Sequence, residues 1–127
     1  MKGNLLIVDD QPDIRKLIRM TLEFEGYQLA EAQDGSEALR MARSSRPEFV
    51  LLDVMMPGEL DGFQVCERIR ADTALADTMV VMLTARGQQS DLERGRKAGA
   101  HAYLTKPFSP LELIDTIERL AATRARA

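Results

Sequence analysis

Five short apolar runs, at residues 5–9, 28–32, 49–53, 79–84 and 102–105, alternate with amphipathic stretches along the chain. This is the pattern of repeated β-α units, and it predicts a parallel sheet covered by helices on both faces. Leu5-Leu6-Ile7-Val8 and Phe49-Val50-Leu51-Leu52 are continuously apolar, as expected of central strands buried on both sides. Gln28-Leu29-Ala30-Glu31-Ala32 alternates and suits an edge strand. Between the runs, Pro12 sits where a first helical residue belongs. Ile14, Leu17, Ile18, Thr21 and Leu22 then fall on one face, and Gly26 ends the stretch.

Further helix starts are signalled by Asp34 with Glu37 and by Ser109 with Glu112, both at capping-box spacing, the second reinforced by Pro110. Asp61-Gly62 opens a third helix, with Asp61 as its N-cap and Phe63, Cys66 and Ile69 directed at the sheet. The stretch 88–97 offers little beyond Leu92 to an apolar face and contains Gly95, so it reads as a weakly anchored surface helix. Five β-α units joined by right-handed crossovers predict an α/β fold, a doubly wound five-stranded parallel sheet of flavodoxin-like order 2-1-3-4-5.

A length of 127 residues, 45% of them apolar, suits one domain with one continuous core, over about residues 3–122, and leaves no room for a second folded unit. The longest apolar runs, 5–8 and 79–83, fall far short of the roughly 20 residues that span a bilayer. The first residues lack a cleavable signal pattern. Cys66 is the sole cysteine, which excludes an intramolecular disulfide and a cysteine-based zinc cluster. A soluble cytoplasmic protein is therefore expected. The net charge of −3 gives no general attraction to nucleic acid or anionic lipid. The three arginines of residues 119–127 read as a solvated helix end.

In open α/β sheets the functional crevice lies beyond the carboxyl ends of the strands, where strand order reverses, here between the first and third. Asp9 and Asp10 end the first strand and Asp53 ends the third. Neighbouring strands lie about 4.8 Å apart, so these carboxylates converge. Two unit charges about 5 Å apart, at an effective dielectric of about 20, repel by roughly 3 kcal/mol. Three together demand a countercharge. A hard cation such as Mg²⁺ suits few carboxylates, because it keeps waters and completes its shell with phosphate oxygens. Lys106, just past the fifth strand, adds an ammonium and Thr84, ending the fourth, a hydroxyl.

At these residues the chain resembles a response-regulator receiver domain of two-component signalling, of the single-domain type. The matching passages are LLIVDDQPDIR at 5–15, VLLDVMMPGELDG at 50–62, VVMLTARG at 80–87 and AYLTKPF at 102–108. The resemblance implies a single receiver domain over residues 1–127 without an output domain, in which Asp53 is the phosphoacceptor. Asp10 and Asp53 would bind Mg²⁺ with the Met55 carbonyl, and Asp9 would act through metal-bound water. Thr84 would hydrogen-bond the phosphoryl group, Lys106 would pair with it, and Tyr103 would turn inward once Thr84 is engaged. The Lys106–Pro107 bond would be cis. The protein would be a phosphoacceptor and not a classical enzyme, assisting its own phosphorylation and dephosphorylation. Implied partners are a sensor histidine kinase or histidine phosphotransfer protein and a downstream effector protein, with no direct contact to nucleic acid or membrane, in a monomer or weak dimer. Output would pass through the face of the fourth helix, fifth strand and fifth helix, or through a phosphorelay.

Two features depart from the family pattern or qualify it. The 57–62 segment holds one residue more than usual between its proline and its Asp-Gly. Met55 and Arg86, two residues beyond Asp53 and Thr84, occupy positions that tune water attack. A bulky apolar group facing a cation there implies slow to intermediate dephosphorylation. Among other residues, His101 reads as a lone exposed histidine, Cys66 as core filler, and Met55 and Met56 as packing against or lining the site. Three rival functions are weighed. A flavin carrier needs a phosphate-welcoming first loop, which Asp9-Asp10-Gln11-Pro12-Asp13 is not. An aspartyl phosphohydrolase needs a cap that these residues do not supply. A degenerate receiver is disfavoured because all five site positions are intact. The pathway stays open among a chemotaxis-like effector, a phosphorelay intermediate and a kinase regulator.

Overall fold

The computed structural model describes residues 3–85 and 89–125. Strands and helices alternate as β1 (Asn4–Val8), α1 (Pro12–Phe24), β2 (Gln28–Ala32), α2 (Gly35–Ser45), β3 (Phe49–Asp53), α3 (Gly62–Ala71), β4 (Met79–Ala85), α4 (Gln89–Ala98), β5 (Ala102–Lys106) and α5 (Pro110–Ala125). Every strand pair is parallel and the order is β2-β1-β3-β4-β5, the expected doubly wound arrangement. β3 is buried at all five positions, whereas β2, at the edge, is mostly half-buried. No helix among the described residues is long and apolar enough to cross a membrane.

The alternation of side chains on the strands divides the core into two layers. Leu6, Val8, Val50, Leu52, Val80 and Met82 meet α2, α3 and α4 on one face. Leu5, Ile7, Phe49, Leu51, Val81 and Leu83 meet α1 and α5 on the other. Helix starts follow their capping residues. Ser109 and Glu112 form the expected reciprocal box. Asp34 accepts from the Glu37 amide, but the Glu37 carboxylate reaches one residue further back, to the Gln33 N–H at 2.9 Å. Asp61 caps α3 as expected and forms a full box with Gln64, which the sequence reading did not single out. A single 3-10 turn at Thr73–Leu75, also not anticipated, is capped by Asp72 and buries Leu75 beneath α3.

Two expectations need correction. Leu17, assigned to the core face of α1, is 36% exposed and lies with Met20 and Phe24 on the solvent side, while Ile18 and Leu22 carry the packing. His101 is half-buried: its ring Nδ1 accepts the Val80 backbone N–H at 3.0 Å, and its backbone N–H donates to the Val80 carbonyl at 2.8 Å. Burial, aided by Arg70, lowers its pKa and keeps the ring neutral. The side chain thus prolongs the β4–β5 ladder by one acceptor. Cys66 is core filler as expected, its thiol 3.5 Å from the Ala98 carbonyl and its pKa pushed by burial to about 11.

The segment that brings the chain from β3 into α3 turns back sharply beneath Asp53. The Gly62 N–H donates to the Val54 carbonyl at 3.2 Å. A methyl group on Gly62 would overlap the Asp53 carbonyl oxygen and lie 2.7 Å from the Val54 Cα, backbone that cannot yield as a flexible side chain would. Gly62→Ala is accordingly expected to destabilise the fold by about 1–3 kcal/mol, read as a lower urea midpoint with an unchanged m-value.

Candidate functional site

The register places the strand ends of the sheet's carboxyl edge side by side. Val8 pairs with Leu52, Asp53 with Leu83, Thr84 with Thr105 and Ala85 with Lys106. Asp9, Asp10, Asp53, Thr84 and Lys106 therefore converge at one rim, as the spacing of the motifs predicts. An oxygen from each of Asp9, Asp10 and Asp53 lies within 4.8 Å of the other two. The three are not equivalent. Asp9 is wholly buried and Asp53 is 4% exposed, whereas Asp10 faces solvent at the mouth.

Buried carboxylates require donors, and each has them. Asp9 Oδ1 accepts the Gln11 N–H at 2.9 Å, and its Oδ2 accepts from Lys106 Nζ at 2.8 Å. Lys106 Nζ lies 3.4 Å from Asp53 Oδ2 and 3.4 Å from Gln11 Oε1, so one ammonium spans the gap between β1 and β3. Asp53 Oδ1 accepts the Met55 N–H at 3.2 Å. The balance is incomplete at Asp53. Burial and the Asp9 charge raise its pKa to about 6 against the opposing pull of Lys106 and the Met55 N–H. Three carboxylates around one ammonium leave a surplus of two negative charges when ionised, with oxygen donors at mixed depth. That donor set fits a hard divalent cation such as Mg²⁺.

Arg15 and Gln11 are parts of the site that the sequence reading missed. Arg15 Nη1 donates to the Asp9 carbonyl at 2.7 Å, and its Nε is held by Glu31 at 2.9 Å. The only available signal was its place one turn inside α1, which does not reveal that it reaches back to β1. Thr84 is buried at the rim. Met55 is 71% exposed beside the Asp53 carboxylate. Tyr103 is already packed against the core layer under α4, its ring against Gly95. Its hydroxyl is buried beside Arg96 and, among the described residues, meets no partner at full hydrogen-bond geometry. Burial raises its pKa against a smaller lowering by Arg96. The Lys106–Pro107 peptide is cis. Arg86, expected to tune water attack, lies outside the described residues.

The sequence profile of the response regulator receiver domain matches residues 5–118. Among curated proteins, the chain is 42% identical over 116 residues to the transcriptional regulatory protein ResD of Bacillus subtilis, an alignment covering 91% of this chain and 47% of ResD. It is 41% identical over 114 residues to the DNA-binding response regulator MtrA of Mycolicibacterium smegmatis, covering 90% of this chain and 48% of MtrA. The chain thus spans about half the length of these relatives. Among solved structures it resembles the chemotaxis response regulator CheY4 of Vibrio cholerae. The TM-score is 0.87 and the identity 34%, over 94% of this chain and 98% of that one. It also resembles the signal receiver domain of a signal transduction histidine kinase from Syntrophus aciditrophicus. There the TM-score is 0.90 and the identity 32%, over 99% and 95%.

The raised pKa of Asp53 has a stability consequence. A carboxyl group that holds its proton more tightly folded than unfolded favours folding below its unfolded pKa, and that contribution is lost as pH rises through about 6. In metal-free protein at neutral pH the ionised group is therefore a liability. Asp53→Asn is expected to stabilise metal-free protein by about 1–2 kcal/mol at pH 7.5, after allowance for solvent screening. The advantage should vanish at pH values below the ordinary aspartate range. Thermal melts of both proteins in EDTA across this window provide the check.

Proposed function

The chain belongs to the family of response regulator receiver domains, and from that membership we propose that it is a signalling switch set by phosphorylation of Asp53. The convergence of Asp53 with Asp9, Asp10 and Lys106 at one strand-end rim is the observation that carries this reading. The donor is the phosphohistidine of a sensor histidine kinase or histidine phosphotransfer protein, and the reaction takes place in the cytoplasm. An Asp53 oxygen attacks phosphorus in line. The O–P bond forms as the P–N bond breaks, and the departing imidazole keeps the electron pair and is protonated by solvent.

This chemistry needs positioning and charge neutralisation more than a general base. The Met55 N–H fixes one Asp53 oxygen, and Lys106, anchored on Asp9, stands beside the other. Asp10 and Asp53, with the Met55 carbonyl, would hold Mg²⁺, and Asp9 would contribute through metal-bound water. When bound, the ion supplies charge neutralisation to the transferring phosphoryl oxygens. In the phosphorylated state the Thr84 hydroxyl donates to the phosphoryl group and Lys106 pairs with it, drawing the ends of β4 and β5 toward Asp53. The Tyr103 ring, on β5 with its hydroxyl buried beside Arg96, sits where that movement is felt. The changed face of α4, β5 and α5 carries the output to an effector protein, or the phosphoryl group itself passes onward in a relay. Water attack on phosphorus releases phosphate and restores the carboxylate.

Incubation with a labelled phosphohistidine donor is expected to label the protein in a reaction abolished by EDTA and by Asp53→Asn. Lys106→Ala should slow it by roughly 100-fold, the scale of losing one preorganised charge donor. Undiminished label in Asp53→Asn would falsify the assignment. With Met55 and Arg86 at the tuning positions, the purified phosphoprotein is expected to decay over minutes. Decay within seconds in the same assay refutes slow tuning by the residues at those two positions.

A further inference from the structure

Between α2 and α3, on the flank of the molecule away from α1 and α5, lies a groove of about 540 Å³. Its apolar floor is Leu39 and Leu60, and its rim carries Arg40, Arg43, Arg68 and the Ser36 hydroxyl. Leu39 is buried and faces the core layer, closing the groove from beneath. Leu60 belongs to the 57–62 segment that is one residue longer than usual. It is half-buried and seated on Gly35 at the start of α2, where an added methyl would come within 2.8 Å of the Leu60 Cβ.

The charge of this groove runs against that of the chain. The protein carries a net −3, yet three arginines line one concavity, two of them against Glu37 and Asp72. Their internal partners are weak. Arg40 lies 3.8 Å from Glu37 and Arg43 lies 3.4 Å from Asp72, with side chains 73% and 56% exposed, while Arg68 forms no ion pair among the described residues. Pairs this exposed contribute about 0–1 kcal/mol and are readily exchanged. The planar forks of arginine suit carboxylates in bidentate geometry. A small free anion would use the rim and leave the apolar floor uncovered. A peptide that brings carboxylates on either side of one aliphatic residue would satisfy both.

We propose that the α2–α3 groove is a docking site for an acidic segment of a partner protein, with an aliphatic side chain seated between Leu39 and Leu60 and carboxylates paired with Arg40, Arg43 and Arg68. The site is separate from the Asp53 rim, and nothing in its chemistry requires phosphorylation.

The test is amide chemical-shift mapping on the full chain with a synthetic peptide, acetyl-Glu-Asp-Leu-Glu-Asp-amide. Two further peptides carry serine for leucine or lysines for the acids, and inorganic phosphate serves as the small-anion probe. The acidic leucine peptide is expected to shift the amides of Ser36, Leu39, Arg43, Leu60 and Arg68. Its affinity should fall about fivefold for each carboxylate removed and about tenfold on loss of the leucine. The double variant Arg43→Glu/Arg68→Glu should lose this peptide and gain the lysine-bearing one, while retaining its circular dichroism spectrum and label transfer to Asp53. Three results overturn the proposal: no shifts in the groove at millimolar peptide, equal shifts with phosphate alone, or binding that survives the charge reversal. Because the readout is binding, it stands or falls separately from phosphotransfer at Asp53.

Discussion

The structure turns on the cost of keeping two carboxylates, Asp9 and Asp53, out of water and next to each other. Neither would be tolerated alone at such depth, since an unpaired buried charge is among the most expensive features a fold can carry. Lys106 reduces that cost by reaching 2.8 Å from Asp9 and 3.4 Å from Asp53. Its position at the end of β5 means that the cluster forms only when the sheet has closed from β1 through β3 and β4 to β5. The asymmetry of the bridge matters as much as its presence. The ammonium is engaged first with Asp9, and the nucleophile candidate is left with a pKa near 6, under-compensated and receptive to a further positive charge. A site fully neutralised from within would have little affinity for a divalent cation or for a phosphoryl group. This one keeps a deficit in the place where chemistry needs it.

That arrangement explains why so much of the fold could be read from the chain. The continuous apolar runs of β1 and β3 admit only a central, doubly covered position, and the alternation of β2 admits only an edge. Once strand order is set, the acids at the ends of β1 and β3 must meet, and Lys106 and Thr84 follow from their own strands. What escaped detection depends on side chains reaching across elements. Arg15 looks like one more charge on an amphipathic helix, and only the fold shows that it grips the Asp9 carbonyl while Glu31 holds it from β2. His101 looked like a free surface imidazole because nothing in a sequence announces that a ring nitrogen will serve as a strand acceptor. Leu17 failed for a simpler reason: on a narrow helix face Ile18 and Leu22 suffice, and the third aliphatic position is left in solvent.

Two routes lead away from Asp53, one through β3 into α3 and one through β4 and β5. β3 feeds α3 through Gly62, whose close contact with the Asp53 and Val54 backbone leaves no slack on that side. Thr84 and Lys106 both lie toward their strands' ends, and behind them Tyr103 packs its ring against Gly95 under α4. On the proposed function, a pull on Thr84 and Lys106 would meet close backbone packing toward α3 and a ring seated on a glycine toward α4. On that reading, the displacement would then pass toward α4, β5 and α5 rather than toward α3.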